Sequence, residues 1–461
     1  MEESQSSTGI AKKIQRMRPG MLVILSFLAA AVIGAALLSL PAASTSAPVP
    51  PLDAFFTAVS AVCVTGLVVV DTGTQFTVFG KCVILALIQL GGLGVMTFSV
   101  FLFLFLGKSL GTRGRWIVTE TFTAAPIREI RKLLASIFGV TFTAEAIGAV
   151  LLFIVWHRGL PFGEAVFASV FHAVSSFCNA GFSFWSTSFT AWRDSVLLNV
   201  TVMCLIVAGG LGFPVMYEVR TRLRARRKRK RTQLSFHTKL VLSTTAVLLF
   251  GGAALIFLLE WQGALAGMQM RSRVLASLFQ SVTARTAGFN TLDIATLEPA
   301  TLFIIIMLMF VGASPGSTGG GIKTTSLAVF AAIFVNRFRG RETVSVFRRT
   351  VPAETVTRAL SIIGLAAVII TAGLVLLLVI HMHTADPGTN VFLVYFFEAV
   401  SAFGTVGLSM GATAALSAGG KIVVIILMFL GRVGLLTVAY VVTRRERYRH
   451  FRYAEEKVMI G

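Results

Sequence analysis

Eight long apolar runs occupy most of the chain and decide what it can fold into. They lie at residues 21–40, 79–106, 136–156, 196–217, 238–260, 300–335, 359–381 and 420–443. About 20 apolar residues in a helix span the roughly 30 Å hydrocarbon core of a bilayer. Only 13% of the residues are charged, whereas about 25% is usual in soluble domains. The sequence therefore predicts an all-α membrane protein, and it excludes a soluble enzyme, a secreted disulfide scaffold and a disordered tail.

Basic residues predict how these runs are oriented. Thirty-two of the 41 lysines and arginines fall in five regions, at 12–18, 108–132, 220–239, 337–358 and 444–457. Cytoplasmic loops carry an excess of Lys and Arg, so we expect a multi-pass protein with both termini in the cytoplasm. The dense basic run at 224–231 is interpreted as part of this topology signal, in reach of membrane lipid headgroups or a partner. It is not interpreted as a nucleic-acid site.

Four shorter apolar segments lie between paired runs, at 52–63, 162–178, 272–284 and 390–403. They are too short to cross a bilayer, and all four fall on the predicted external side. Backbone that leaves a helix at membrane depth is tolerated where it is buried in protein or lines a water-filled path. The segments are therefore predicted to be re-entrant half-helices that enter from outside.

One motif recurs in the four short segments. Phe-x-x-Val-Ser/Thr begins at Phe56, Phe171, Phe279 and Phe397, and a glycine follows its Ser/Thr after five or six residues, at Gly66, Gly181, Gly288 and Gly407. This register predicts four pseudo-repeats of span, re-entrant half-helix, loop and span around one central pore, with eight transmembrane helices and four pore half-helices. The repeats are placed at 21–106, 136–217, 238–335 and 359–443. Cytoplasmic loops at 107–135, 218–237 and 336–358 join them, and cytoplasmic segments at 1–20 and 444–461 flank them.

The chemistry of such a segment favours a cation. The C-terminal end of a helix carries about −0.5 charge, and the loop that follows can offer carbonyl oxygens in place of the ion's hydration shell. Glycine suits that loop because it adopts left-handed backbone at little cost. The predicted selectivity filter comprises Thr65, Gly66, Ala180, Gly181, Ala287, Gly288, Val406 and Gly407. Its ion-binding carbonyls are expected near Val64, Thr65, Asn179, Ala180, Thr286, Ala287, Thr405 and Val406. The alternative is that each glycine only ends a half-helix.

The second run of the third repeat is interrupted at 312–322. A continuous helix tolerates glycine and proline poorly, so this stretch is predicted to be a gating loop lying beneath the filter, with a simple helix kink as the alternative. Its residues are Gly312, Ala313, Ser314, Pro315, Gly316, Ser317, Thr318, Gly319, Gly320 and Gly321. Arg432 lies within the last run, where a buried arginine is costly and needs a partner. It is predicted to be a pore arginine that repels cations below the filter, with pairing to a glutamate or to loop carbonyls as the alternative.

These residues resemble a known family. The strings are Val-Cys-Val-Thr-Gly66-Leu, Asn-Ala-Gly181-Phe, Arg-Thr-Ala-Gly288-Phe, Phe-Gly-Thr-Val-Gly407-Leu-Ser-Met-Gly and Gly-Ala-Ser-Pro-Gly-Ser-Thr-Gly-Gly-Gly321-Ile-Lys-Thr-Thr. The chain is similar, over nearly its whole length, to the KtrB-type membrane subunit of Ktr potassium-uptake systems in the Trk/Ktr/HKT superfamily. Two positions depart from that pattern: Cys178-Asn179 stands where Asn-Asn is expected, and Leu435 stands where a proline usually follows Gly-Arg-Val-Gly.

The resemblance implies a potassium-translocating subunit of the bacterial cytoplasmic membrane. It further implies sodium dependence, with Na⁺ as a coupling or activating ion, and a homodimer with one pore per protomer. A cytoplasmic KtrA-type ring would bind ATP and ADP, so no cofactor is expected on this chain. The family's filter glycines, gating loop and pore arginine carry over to the four filter glycines, residues 312–322 and Arg432.

Other classes of protein fit less well. A sodium-coupled secondary transporter of another fold, built from inverted repeats, would also explain glycines at midplane and one broken helix. Inverted repeats alternate in orientation, however, whereas all four units here face the same way. A non-transporting receptor or scaffold leaves the glycine register unexplained. The sequence shows no paired carboxylates and no nucleophile with a base, so an enzyme is not expected.

Overall fold

The computed structural model describes residues 19–94, 127–227, 233–382 and 390–434, and these residues are largely helical. Several sequence predictions fall outside them. These are the N-terminal segment as far as residue 18, the ends of the second and eighth apolar runs, most of the first cytoplasmic loop, and the C-terminal tail with Leu435.

Fifteen α-helices and one small hairpin make up the described regular structure, apart from short 3₁₀ turns. The helices are α1 (Pro19–Leu38), α2 (Pro51–Val62), α3 (Thr72–Gln75), α4 (Val78–Leu93), α5 (Ile127–Trp156), α6 (Phe162–Cys178), α7 (Val196–Leu211), α8 (Phe213–Arg227), α9 (Phe236–Leu259), α10 (Met270–Thr283), α11 (Pro299–Phe310), α12 (Thr324–Phe338), α13 (Ala353–His381), α14 (Val391–Gly404) and α15 (Ala418–Val433). The hairpin pairs β1 (Ser345–Val346) with β2 (Arg349–Thr350).

The four short apolar segments form short helices, namely α2, α6, α10 and α14. Proline precedes or occupies the first position of two of them, at Pro51 and Pro161, where a missing N–H costs nothing because that group has no partner inside the helix. Asn390 begins α14 by accepting a hydrogen bond from the Leu393 N–H at 3.2 Å. The phenylalanine of each recurring motif is fully buried in the core.

The sequence prediction of continuous second spans was wrong for the run at 196–217. Helix α7 ends at Leu211, and α8 leaves it at an angle of 104°. The physical reason is Gly212, which adopts φ +88° and ψ 142°, a conformation open to glycine that ends the helix. Gly94 and Gly434 end α4 and α15 in the same way, with φ +77° and +88°. A break was therefore expected in one repeat, and in the other three a glycine at the corresponding place also ends the helix.

The short helices are packed in a cyclic order. Helices α1, α5, α9 and α13 each pack on the short helix that follows them in the chain and on the next long helix of the same segment, namely α4, α7, α11 and α15. Helix α4 also contacts α6, α7 contacts α10, α11 contacts α14, and α15 returns to α2. The four short helices are thus each flanked by a helix from the preceding segment, and the fourth segment meets the first.

The outer surface of the longest helices is apolar. Three stretches of the described residues are long and apolar enough to cross a membrane, namely Ala135–Trp156, Phe236–Leu259 and Ala353–His381. The bent pair of α7 and α8 qualifies as a fourth if it is counted as one span. Large side chains such as Val150, Phe250 and Val368 are more than 60% exposed on these helices, which suits contact with lipid and not with water. The fold is that of an integral membrane protein.

Candidate functional site

The four predicted filter glycines lie together and touch in cyclic order. We call Gly66, Gly181, Gly288 and Gly407 the glycine ring. An added Cβ on each of them would meet the carbonyl oxygen of the residue before the next glycine, namely Ala180, Ala287, Val406 and Thr65 in turn. That distance would be 2.8 Å at Gly181, 2.5 Å at Gly288 and shorter at the other two. Four loops that are more than 100 residues apart in sequence therefore converge on one point.

Each loop of the ring has the same alternation of backbone handedness. The glycines have φ values of +89°, +70°, +78° and +90°. Two residues earlier, φ is again positive, at Val64, Asn179, Thr286 and Thr405, while the residue between has a negative φ. Positive φ is a genuine outlier for β-branched residues and costs about 1–3 kcal/mol. Three of the four residues are β-branched, so the surrounding structure must hold these loops in place.

The recurring Ser/Thr supplies part of that support. Ser60 donates to the Leu67 carbonyl at 2.8 Å and accepts from the Gly66 N–H at 3.1 Å. In the other repeats, Ser175 donates to Phe182 O at 2.9 Å, Thr283 donates to Phe289 O at 2.7 Å, and Ser401 accepts from Gly407 N at 3.2 Å. The hydroxyl therefore fastens the short helix to the loop that carries the glycine. This explains why the glycine follows the Ser/Thr at a nearly constant distance of five or six residues.

Glycines in the longer helices allow a close approach behind the ring. An added Cβ on Gly91, Gly209 or Gly431 would collide with the carbonyl oxygen of Val62, Phe177 or Phe403, respectively. Each of those carbonyls lies two residues before the left-handed residue of its loop. Because only glycine permits this approach, helices α4, α7 and α15 pack directly against the C-terminal ends of α2, α6 and α14, respectively.

The interrupted run forms a non-helical loop between α11 and α12. The loop at 312–321, here called the glycine-rich loop, lies on one side of the glycine ring, against the left-handed residues of two of its loops. Thr405 Oγ1 accepts a hydrogen bond from the Gly320 N–H at 3.1 Å, and an added Cβ on Gly319 would collide with Thr286 Oγ1. Thr318 donates to Phe177 O at 3.2 Å. The loop therefore contacts the left-handed residues, or the helix ends beside them, in three of the four segments.

Two cations hold the glycine-rich loop. Arg432 donates to the carbonyl oxygens of Thr318 and Gly91, so its guanidinium joins the loop to helix α4. Of the sequence alternatives for Arg432, contact with loop carbonyls is observed. Lys323 donates to Gly319 O at 2.9 Å. Sequence reasoning missed Lys323, although its place directly after the glycine run was a usable signal.

A cavity of about 320 Å³ lies on the other side of the glycine ring. Its lining includes all four ring glycines together with Asp71 and Asp293. Both carboxylates also accept backbone hydrogen bonds at helix starts, from Gly73 N at 2.7 Å and Ala295 N at 3.0 Å. The cavity thus joins the ring to a mouth that carries two acidic side chains. These aspartates were not among the sequence-predicted site residues.

Two acidic residues left open by the sequence have structural partners. Asp53, in the first turn of α2, forms an ion pair with Lys421 of α15 at 2.5 Å. Glu398 of α14 accepts hydrogen bonds from Ser409 at 2.9 Å and from Thr413. The first pair ties the first segment to the fourth, and the second braces the loop that leaves Gly407.

Membrane-crossing apolar helices, grouped around four short helices whose loops meet at one ring, define an integral membrane transport protein. Comparison with known proteins places it more closely. The model of the TrkH family, described as a cation transport protein, matches residues 6–450. The chain belongs to this family. Membership confirms the resemblance seen in the sequence and confirms the prediction of a transporter over an enzyme.

Individual relatives cover almost the whole chain. Ktr system potassium uptake protein B of Bacillus subtilis is 38% identical over 448 residues, which is 97% of either chain. Potassium/sodium uptake protein NtpJ of Enterococcus hirae is 36% identical, covering 97% of this chain and 98% of that one. The crystal structure of the potassium transporter TrkH from Vibrio parahaemolyticus has a TM-score of 0.73 at 18% identity, covering 93% of this chain and 86% of that chain. Its fold is the same.

Proposed function

We propose that this chain is a potassium-translocating subunit and that the glycine ring is its selectivity filter. The observation that carries the proposal is the cyclic contact of Gly66, Gly181, Gly288 and Gly407, each with the carbonyl preceding the next glycine. A path between the cavity on one side and the glycine-rich loop on the other has to cross this ring. The printed names of the relatives, which are potassium uptake proteins, support K⁺ as the transported ion.

The backbone alternation suits the capture of a dehydrated cation. In an extended segment successive carbonyls point to opposite sides, whereas inverting φ at every second residue turns them toward the same side. Each loop has that alternation, so a short row of carbonyl oxygens can replace the water around K⁺. The short helices end just before these loops, and their C-terminal carbonyls add negative potential. One glycine per loop makes a short filter.

The acidic mouth of the cavity favours cation entry. Clefts lined by one sign of charge raise the local concentration of the opposite ion. Asp71 and Asp293 both line the cavity above the ring, and both aspartates are positioned by backbone hydrogen bonds. We infer that they attract K⁺ before it loses its hydration shell.

The glycine-rich loop is proposed as the gate. It lies against Thr286 and Thr405, which are the left-handed residues of two loops, and Arg432 and Lys323 bind its carbonyls. Anchored this way, the loop stands in the path of an ion leaving the ring. Small residues and a missing helical hydrogen-bond pattern let it move when those anchors release it. Arg432 acts as the pore arginine in two ways, since it holds the loop and its charge repels a bound cation.

The proposed architecture is the fourfold one. Four pseudo-repeats of span, re-entrant half-helix, loop and span would give eight transmembrane helices and four pore half-helices, at 21–106, 136–217, 238–335 and 359–443. The cyclic packing of α4 on α6, α7 on α10, α11 on α14 and α15 on α2 supports this arrangement. With basic loops on the inner side, the termini would be in the cytoplasm of a bacterial cell.

The proposed partners follow from the relatives. The name of the Bacillus subtilis protein places it in a Ktr system, and that supports partnership with other Ktr components. From the resemblance seen in the sequence we further propose a homodimer with one pore per protomer and a cytoplasmic KtrA-type nucleotide-binding ring. The name of the Enterococcus hirae relative includes sodium, which supports Na⁺ as a coupling or activating ion. No cofactor is proposed on this chain itself.

Ion uptake in a bacterium that lacks its own potassium-uptake systems tests the proposal. Cells that produce this chain together with a KtrA-type subunit are expected to grow at low K⁺ and to take up K⁺ and Rb⁺ in preference to Na⁺. Uptake should rise when Na⁺ is added outside. Cells carrying the KtrA-type subunit alone are the control. Absence of K⁺ uptake, with the protein present in the membrane by immunoblot, would contradict the assignment.

A further inference from the structure

Glu145 is an acidic side chain in the middle of a membrane-crossing helix. It is the eleventh of the 22 residues in the apolar stretch Ala135–Trp156 of α5, and it is only 6% exposed. Among the residues that the structure describes, no basic side chain lies within ion-pair distance of it. Its polar neighbours there are the thiol of Cys178, whose Sγ is 4.0 Å from Oε1, and the side-chain amide of Gln89. An ionisable group at this depth indicates a functional site.

A cavity of about 500 Å³ opens beside this carboxylate, between α4, α5 and α6. Gln89 of α4 lines it as well, with its side-chain amide beside the Glu145 carboxylate. The remaining lining side chains are Cys82, Leu85, Ala86, Phe142, Ala146, Ala149, Val170 and Val174. Several of them, including Phe142 and Val170, are also exposed on the outer surface. The cavity can therefore be entered from the lipid side.

The lining selects the kind of ligand. A volume of this size suits a small organic molecule, and such sites combine apolar walls with a few polar groups. A buried carboxylate without an opposite charge beside it costs several kcal/mol, and a bound cation offsets this cost. Glu145 and Gln89 supply too few oxygens to surround a metal cation, whereas an organic cation brings apolar surface that matches the walls. The charge of Glu145 and the apolar lining together favour an amphiphilic ammonium ion.

We propose that this cavity binds a lipophilic primary ammonium cation, with its head at Glu145 and Gln89 and its alkyl chain along the walls facing the lipid. The head donates hydrogen bonds to the Glu145 carboxylate and to Gln89 Oε1, which lies 3.9 Å from the same Cys178 Sγ. Cys178 is the last residue of α6 and directly precedes Asn179 of the second loop. A bound cation thus lies directly behind one quarter of the glycine ring.

Ligand-induced thermal stabilisation in nanodiscs, with n-octylammonium as the probe, tests this site without measuring transport. In Glu145→Gln the concentration for half-maximal stabilisation is expected to rise at least tenfold, because the amide keeps the shape and removes the charge. Glu164→Gln is the matched control, since Glu164 is exposed at the start of α6 and its loss changes net charge equally. Ala86→Phe fills the cavity but keeps the carboxylate, and it should weaken the response as well.

Equal responses of the wild type and Glu145→Gln would overturn the proposal. So would 1-octanol stabilising the protein as strongly as the ammonium ion does, because recognition would then be apolar only. If Glu145→Gln does not fold, an unchanged response of Ala86→Phe would refute the site by itself. None of these outcomes bears on potassium uptake, so this inference and the proposed transport function fail or stand separately.

Discussion

Replacing Gly407 by alanine is expected to impair ion selection more than replacing Gly181, although both glycines lie in the same ring. An added Cβ at Gly181 would be 2.8 Å from the Ala287 carbonyl oxygen, whereas at Gly407 it would be closer to Thr65 O than 2.5 Å. Gly288, at 2.5 Å, lies between them. The structure therefore predicts a graded series and not four equal defects.

The expected magnitudes follow from two costs. A left-handed conformation costs an L-residue about 1–2 kcal/mol, and this cost applies to all four glycines. Ordinary contact begins near 3.4 Å, so the neighbouring oxygen must move by about 0.6 Å for Gly181→Ala and about 0.9 Å for Gly288→Ala. Since about 1.4 kcal/mol is a tenfold change, we expect a loss of about tenfold in K⁺ affinity or K⁺/Na⁺ selectivity for Gly181→Ala. Gly407→Ala should lose more.

The assay is Rb⁺ and K⁺ uptake in potassium-uptake-deficient cells, with the half-saturating concentration and the K⁺/Na⁺ uptake ratio measured for each variant. Gly411→Ala is the matched control, because Gly411 has φ +92° but no heavy atom within 4 Å of an added Cβ. It shares the conformational cost without the collision and should retain selectivity. Equal defects in all ring variants, or a defect of the same size in Gly411→Ala, would refute the reasoning.

Four further changes probe the supports of the site. Deleting 313–319 should raise the K⁺ flux if the glycine-rich loop is the gate. Arg432→Gln should raise the flux as well, because it releases that loop. Unchanged K⁺ flux in proteoliposomes would show that the loop is not the gate. Ser60→Ala takes away two hydrogen bonds at the first filter loop, at about 1 kcal/mol each, and should lower the K⁺/Na⁺ uptake ratio while Ser60→Thr preserves it. Lys421→Gln leaves Asp53 without its partner, so the melting temperature should fall by an amount equivalent to about 1–2 kcal/mol, between surface and buried ion pairs. Adding Asp53→Asn should restore part of that loss, and no fall at all would contradict a stabilising pair.

Much of the fold could be predicted because the bilayer imposes simple lengths on helices. The predicted segments at 52–63 and 162–178 differ by no more than one residue at either end from Pro51–Val62 and Phe162–Cys178. The recurrence of a motif and the length of an apolar run are local properties of the sequence, so they can be found by reading along the chain. The bend at Gly212 was missed because the three glycines at 209–212 are equally compatible with close packing of a continuous helix.

Side-chain roles were harder to predict than helix positions. The sequence left contact between Arg432 and the loop carbonyls as an alternative to repulsion of cations in the pore, and only the structure brings the guanidinium to Thr318 O. Lys323 and Asp71 were missed because a lone charge near a helix end is usually solvated surface. Their hydrogen bonds are local, to Gly319 O and from Gly73 N, but their place beside the ring depends on loops that are distant in sequence.

The sequence by itself determined the apolar spans, the fourfold recurrence of the glycine motif and the basic loops, since each depends on neighbouring residues and on the solvent they require. The tertiary structure alone decided that the four glycines meet in cyclic order. It also decided that Val64, Asn179, Thr286 and Thr405 adopt left-handed backbone beside them, and that Arg432 binds the glycine-rich loop. These features arise where distant segments are packed against one another. Strained backbone and buried charge survive there because many contacts from other parts of the chain hold them in place.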